Sequence, residues 1–218
     1  MKTDMLLHKD VLAELTWDPQ VHEKEVGVAV KDGVVTLTGT VDSYADKWAA
    51  ERAVERVAEV RAVASDLSVK VPSAFKHTDT EIAHQALNAL KWDIEVPDEK
   101  IKLAVTDGWV TLDGDVEWRY QSDAAARAIQ NLAGLRGINN RIKVTPNSAS
   151  AFDVAAKIRG TMERRADRTA DHIRVDCQNG VVTLKGVVPS FSERSAAETA
   201  AWQAAGVKEV RDELVVGV

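Results

Sequence analysis

Asp113, Asp115 and Glu117 alternate with other residues over a short run. On a strand, a period of two would set their carboxylates side by side on one face. Three adjacent carboxylates are a donor set for a hard cation. The surrounding segment occurs twice more in the chain, and there the same positions hold Thr38, Thr40, Asp42 and Lys185, Val187, Pro189. A solvated strand face is therefore expected, and no metal site is assigned. His8, His22, His77, His84 and His172 share no equivalent position, and none stands four residues from another, so no zinc pattern exists. The single cysteine, Cys177, stands where the other copies have Val30 and Val105, which predicts a core side chain and excludes an intrachain disulfide. Arg164, Arg165 and Arg168 read as a solvated basic run. No nucleophile, base and orienting group converge. No catalytic residue and no cofactor are assigned, and the chain is expected not to be an enzyme.

The tryptophans carry more information. Trp17 and Trp92 are equivalent positions at the end of a helix, where the third copy has Arg164, and they are expected to cover the edge of a small core. Trp109 falls on the outward face of a strand where the other copies have Val34 and Val181, and Trp118 replaces Ser43 and Ser190. Trp48 and Trp202 lie off the inferred inner face of a later helix. Exposed tryptophan is enriched at protein interfaces and membrane surfaces. Trp109, Trp118, Trp17 and Trp92 are thus the candidate contacts for a lipid or a partner.

What positions these residues is a repeat. Asp32-Gly33-Val34-Val35-Thr36-Leu37-Thr38-Gly39 returns as Asp107-Gly108-Trp109-Val110-Thr111-Leu112-Asp113-Gly114, and again as Asn179-Gly180-Val181-Val182-Thr183-Leu184-Lys185-Gly186. The steps from Gly33 to Gly108 to Gly180 are 75 and 72 residues. So long a period means tandem small domains; the boundaries are placed at 1–71, 78–145 and 149–218, with short linkers at Pro72–His77 and Thr145–Ser148.

Each repeat opens with an apolar row at i, i+4, i+8, one face of a helix: Leu7, Val11, Leu15; Ile82, Ala86, Leu90; Val154, Ile158, Met162. Thr78, Asp79 or Thr80 caps the second of these, with Glu81 in its first turn. An alternating strand follows, then Asp-Gly or Asn-Gly, the strongest short hairpin signal, since a type I′ turn needs φ > 0 at both central residues. The next strand turns Val35, Leu37, Gly39 and Val41 inward, with equivalents around Gly114 and Gly186. A glycine inside a strand packs nothing, so its recurrence predicts close passage of a helix. The pair Gly33 and Gly39 is not a phosphate loop: the residues between alternate like a strand, and no Lys-Ser/Thr follows. An alanine-rich helix and a third strand close each unit. A strand–helix–strand crossover makes the last two strands parallel. The expected fold is α+β, three tandem α-β-β-α-β domains, each with two helices on one face of a three-stranded mixed sheet.

The net charge is −6, and basic against acidic residues number 9 and 13, 9 and 11, and 10 and 10 in 1–71, 72–145 and 146–218. No repeat is basic, so no nucleic-acid partner is expected. No apolar stretch reaches signal-peptide or membrane-span length. The chain as given reads as cytoplasmic; a periplasmic chain whose leader had been removed would look the same.

The Asp-Gly-Val-Val-Thr-Leu-Thr-Gly-Thr-Val segment, the alanine-rich helix, Val60-Arg61-Ala62-Val63 with Leu67-Ser68-Val69, and Leu135-Arg136-Gly137-Ile138-Asn139-Asn140-Arg141-Ile142-Lys143-Val144 resemble the BON domain, named for bacterial osmotically induced and nodulation proteins. The resemblance covers all three repeats. It implies a non-enzymatic binding module of stress-response or cell-envelope type that contacts membrane phospholipid or a protein partner. The alternative is a structural protein that assembles homo-oligomers through exposed sheet faces and tryptophans.

Overall fold

The computed structural model describes residues 2–21, 26–146, 158 and 173–217. In chain order these form α1 (Asp4–Trp17), β1 (Val26–Lys31), β2 (Val34–Val41), α2 (Tyr44–Glu55), β3 (Ala62–Val69), α3 (Asp79–Trp92), β4 (Ile101–Thr106), β5 (Trp109–Val116), α4 (Arg119–Ile129), β6 (Gly137–Asn140), β7 (Lys143–Val144), β8 (Ile173–Gln178), β9 (Val181–Val188), α5 (Phe191–Trp202) and β10 (Glu209–Val216). Val154, Met162, His22, His172 and the Arg164, Arg165, Arg168 run lie outside the described residues. Ile158 is helical and buried, as its place in the apolar row requires. The chain gathers into two compact units: Met1–Thr38, Ala50–Asp66 and Pro146–Val218 in one, Gly39–Ala49 and Leu67–Thr145 in the other. The elements of the first repeat contribute to both.

The middle repeat shows how the layers form. Thr78 caps α3: its hydroxyl accepts from the Glu81 amide and the Glu81 carboxylate accepts from the Thr78 amide, a reciprocal capping box. Ile82, Ala86 and Leu90 of α3 meet Val110, Leu112 and Val116 of β5 and Ala124, Ala125 and Ile129 of α4 in one buried core. The small residues of α4 let it approach the sheet closely. β4 and β5 pair antiparallel, with Leu103 opposite Leu112. β6 and β7 pair with β5 in parallel, as the crossover predicts. Between these two short strands the Asn140 side-chain carbonyl accepts from the Ile142 amide while its amide donates to Ser122.

The third repeat builds the same layers from β8, β9, α5 and β10. Val175, Val182, Leu184, Ala197, Ala200, Ala201 and Leu214 fill its core. β8 and β9 are antiparallel, β9 and β10 parallel. The first repeat's sheet has the order β1-β2-β3. The three folds are thus α+β, each on a mixed sheet.

All three hairpin turns have two consecutive positive φ angles: 52° and 77° at Asp32-Gly33, 51° and 77° at Asp107-Gly108, 53° and 82° at Asn179-Gly180. These are type I′ turns, read correctly from the dipeptides. The strand glycines do something other than admit a helix. Gly39, Gly114 and Gly186 have φ of 129°, 155° and 144°, and Gly39 is exposed. A Cβ on Gly114 would lie 2.2 Å from the Lys100 carbonyl oxygen. The neighbouring strand's own backbone, together with a dihedral few L-residues adopt, demands glycine here.

Candidate functional site

The first helices of the first and second repeats are tied to their hairpins by charge. In the first repeat the Asp4 carboxylate accepts from the amides of Asp32 (2.9 Å) and Gly33 (3.2 Å). In the second, Asp79 accepts from Asp107 and Gly108, both at 2.9 Å. One carboxylate thus receives two parallel backbone donors. At the helix's far end another pattern repeats: Asp18 accepts from the Gln20 amide and Asp93 from the Glu95 amide. These turns fix how Trp17 and Trp92 leave the helix.

The tryptophans do not cover a core edge. Trp17 is 83% exposed and Trp92 87%. The apolar rows at 7, 11, 15 and 82, 86, 90 point at the sheet, and a residue two beyond the last of them lies well round the helix from that row. Trp109 is 44% exposed. It pairs with Gly137, and its ring occupies the space a Gly137 side chain would need. Trp118, 37% exposed, stands at the N-cap of α4. The equivalent Ser43 and Ser190 cap their helices through the amides of Asp46 and Glu193. Indole has no acceptor to offer, and the Gln121 side chain instead accepts from the amides of Glu117 and Trp118. Nine residues of strand and turn put Trp109 and Trp118 about 30 Å apart along the chain direction, so they do not share a patch. Trp202 is half-buried against its own core and donates to Glu198.

The outer face of α1 was not singled out from the sequence. Its exposed positions are Met5, Leu6, Lys9, Leu12, Ala13, Thr16 and Trp17. Five are apolar, Met5 at 80% exposure, and Lys9 is the one charge. The same seven positions in α3 hold Thr80, Glu81, His84, Leu87, Asn88, Lys91 and Trp92. Both helices bury a complete inner row, yet only α1 is apolar on the other side too. The partly exposed Asp4, Asp10 and Glu14 lie between its two apolar faces. The signal was present as Met5, Leu6 and Leu12 lying outside the i, i+4, i+8 row. Ile94, beside Trp92, is also fully exposed.

The carboxylates are spoken for. Asp113 pairs with Arg141 at 3.4 Å and Glu117 with Lys100 at 3.3 Å, while Asp115 stands opposite Lys143. In the third repeat the pair equivalent to Asp113–Arg141 is Lys185–Glu213 at 3.1 Å, with the signs reversed. A ligand site would keep its sign, so this is a cross-strand pair and no more. Among the described residues no group of three metal-ligating side chains occurs. Burial raises the Cys177 thiol above its ordinary range, which disfavours the thiolate. Two open cavities, each of about 290 Å³, lie beside Gly33 and Arg61 and beside Phe75 and Leu132. No helix of the described residues is long and apolar enough to cross a membrane.

The chain is 29% identical over 144 residues to osmotically-inducible protein Y of Escherichia coli (strain K12), covering 64% of this chain and 72% of that protein. Two solved structures of CdsD, a structural protein of the type III secretion system of Chlamydia trachomatis, align with TM-scores of 0.27. One, of its C-terminal domain, is 15% identical over 100% of both chains; the other is 16% identical over 99% of this chain and 93% of that one. At those scores the likeness carries no argument. The BON domain model matches residues 3–71, 78–146 and 150–218, nearly the whole length, and the chain therefore belongs to the BON-domain family.

Proposed function

We propose that this chain is a non-catalytic module of the osmotic-stress response that rests on phospholipid membrane through the outer face of α1. Support for the stress role comes from the family and from the osmotically-inducible relative; the family resemblance also suggests the cell envelope. The observation that carries the lipid contact is the α1 stripe: five apolar side chains and one lysine among its exposed positions, with Asp10 at its border paired to Lys2. A helix of this kind lies in the interface plane, with its apolar side chains in the acyl boundary and its lysine at the headgroups. α1 is about 21 Å long, which lets Met5 and Trp17 engage at once. Each side chain fully withdrawn from water contributes about 1.5 kcal/mol or more. Trp92, Leu87 and Ile94 form a smaller contact of the same kind, beside the acidic residues Asp93 and Glu95.

Co-sedimentation with anionic and zwitterionic vesicles tests this. Leu12→Glu is expected to lower vesicle affinity at least tenfold and Trp17→Ala several-fold, while both variants keep their folded stability because the positions are exposed. Binding unchanged by either substitution, or absent with both lipids, overturns the reading. Self-assembly is the second reading. It draws on the exposed Val34, Trp109, Val187 and Val215 of the sheets. A mass above the monomer by light scattering that falls with Trp109→Ala favours it.

A further inference from the structure

The turn between the second helix and the third strand has one backbone in all three repeats. Glu59, Gly134 and Gly206 are equivalent positions, with φ of 72°, 85° and 89°. Twice in the chain such a turn meets a neighbouring repeat at the same place. In one compact unit, Ala133 and Gly134 of the second repeat's turn face Asp42, Ser43 and Ala45 of the first across a small cleft, with Val71 at its side. Tyr44, beside them, packs against the second repeat's core. In the other unit, the first repeat's turn meets the third. The Glu59 amide donates to the Pro189 carbonyl at 3.2 Å, and Gly217 lies beside Glu59.

Pro189 is the third repeat's equivalent of Asp42. Gly217 is likewise the equivalent of Lys70, the neighbour of Val71, and the two amides donate alike to the carbonyls of Val188 and Val41. One surface, the start of the second helix with the end of the third strand, thus receives one kind of turn in both joints. The joint is heterologous: it brings together two different patches of the same fold, and such a contact propagates unless it closes a ring. A further joint needs the start of α4 on one side and the third repeat's turn on the other. Both are exposed. Trp118 and Tyr120, 37% and 51% exposed, stand where the first repeat's occupied surface has the half-buried Ser43 and Ala45. Gln203 and Ala205 of the third turn are exposed as well. Exposed aromatic side chains are what protein interfaces enrich.

We propose that the start of α4, through Trp118 and Tyr120, docks the 203–206 turn of a second copy of this chain, so that copies join head to tail. The partner is a second copy because the turn that fits this surface is part of the fold itself, and it meets the equivalent surface twice within one chain. This joint uses none of the residues of the α1 outer face or of the exposed sheet faces, and it does not rest on lipid contact.

Light scattering of the full chain without lipid, over a concentration series, tests this. The mass is expected to rise above the monomer with concentration. Trp118→Ser removes the indole and restores the serine cap of the other repeats. Ala205→Glu sets a carboxylate toward Glu117, since the equivalent residues Ala133 and Asp42 line one cleft. Each variant is expected to need about tenfold more protein to associate. Each also keeps one sound end, so an equimolar mixture of the two should regain association and stop at a dimer. The proposal is overturned by a monomer mass at every concentration, or by association that both variants leave unchanged while their circular dichroism stays native. A mixture that associates no better than either variant alone overturns it too, as does assembly lost with Trp109→Ala but kept with Trp118→Ser, which would belong to the sheet faces.

Discussion

A single substitution within the repeat tells most about Trp118. Two of the three repeats start the second helix on a serine that accepts an orphan amide, and the middle repeat gives that up for a partly exposed indole. Losing a good N-cap costs about 1 kcal/mol, and the Gln121 side chain recovers part of it by accepting two amides of the same turn. Trp118→Ser is therefore expected to stabilise the middle repeat by about 0.5–1 kcal/mol, read as a higher denaturation midpoint. A lower midpoint would show that the indole's packing outweighs the cap. The replacement was visible by aligning the repeats. The reason for the strand glycines was not, because alternation reports which way a residue points and says nothing of φ. Only the backbone shows that Gly114 sits beneath the Lys100 carbonyl.

At the scale of elements, the apolar row gave the inner face of α1, and the structure then showed the outer face to be the unusual one. Trp17 lies off that row, so the periodicity that places Leu15 in the core carries no information on the 83% exposure of Trp17. The end of α1 is held by a clamp. Arg56, just past α2, donates to Glu14 at 2.9 Å and to Asp18 at 2.7 Å, and Asp18 also accepts from the Gln20 amide. The Arg56 hydrogen bond, followed by that of Gln20, holds the Asp18 carboxyl below its ordinary range. A folded pKa below the unfolded one contributes stability that is fully present above the unfolded value of about 4. That stability is lost as the pH falls through the lowered folded value. Arg56 is nearly half exposed, so the contribution stays below about 1 kcal/mol. Arg56→Gln should lower stability at neutral pH and flatten the fall in denaturation midpoint on acidification below about pH 4. Parallel acid limbs for the two proteins would remove the clamp from the account.

Across the whole molecule, the repeat period and the hairpins were legible because turn chemistry is local and recurs three times, whereas the exchange of Asp113–Arg141 for Lys185–Glu213 needed the strand register. The cores of the second and third repeats share no residue. Among the described residues, all the buried members of the second repeat's core lie between Ile82 and Leu135, and from outside that repeat Tyr44 alone packs against it. Small cores of this kind are individually marginal, and a chain of several need not unfold in one step. Leu112 is fully buried at the centre of β5. Leu112→Ala should cost about 3 kcal/mol and be felt where its contacts are. Native-state hydrogen exchange is expected to lose protection at Val110, Leu112 and Ile129, while Val182 and Leu184 of β9 keep theirs. Equal loss at β9 would mean that the repeats unfold as one body and that core separation has no thermodynamic counterpart. Confinement to the second repeat would mean that the α1 face of the first stays formed when the middle unfolds, so it can be assayed in a chain whose middle repeat is damaged.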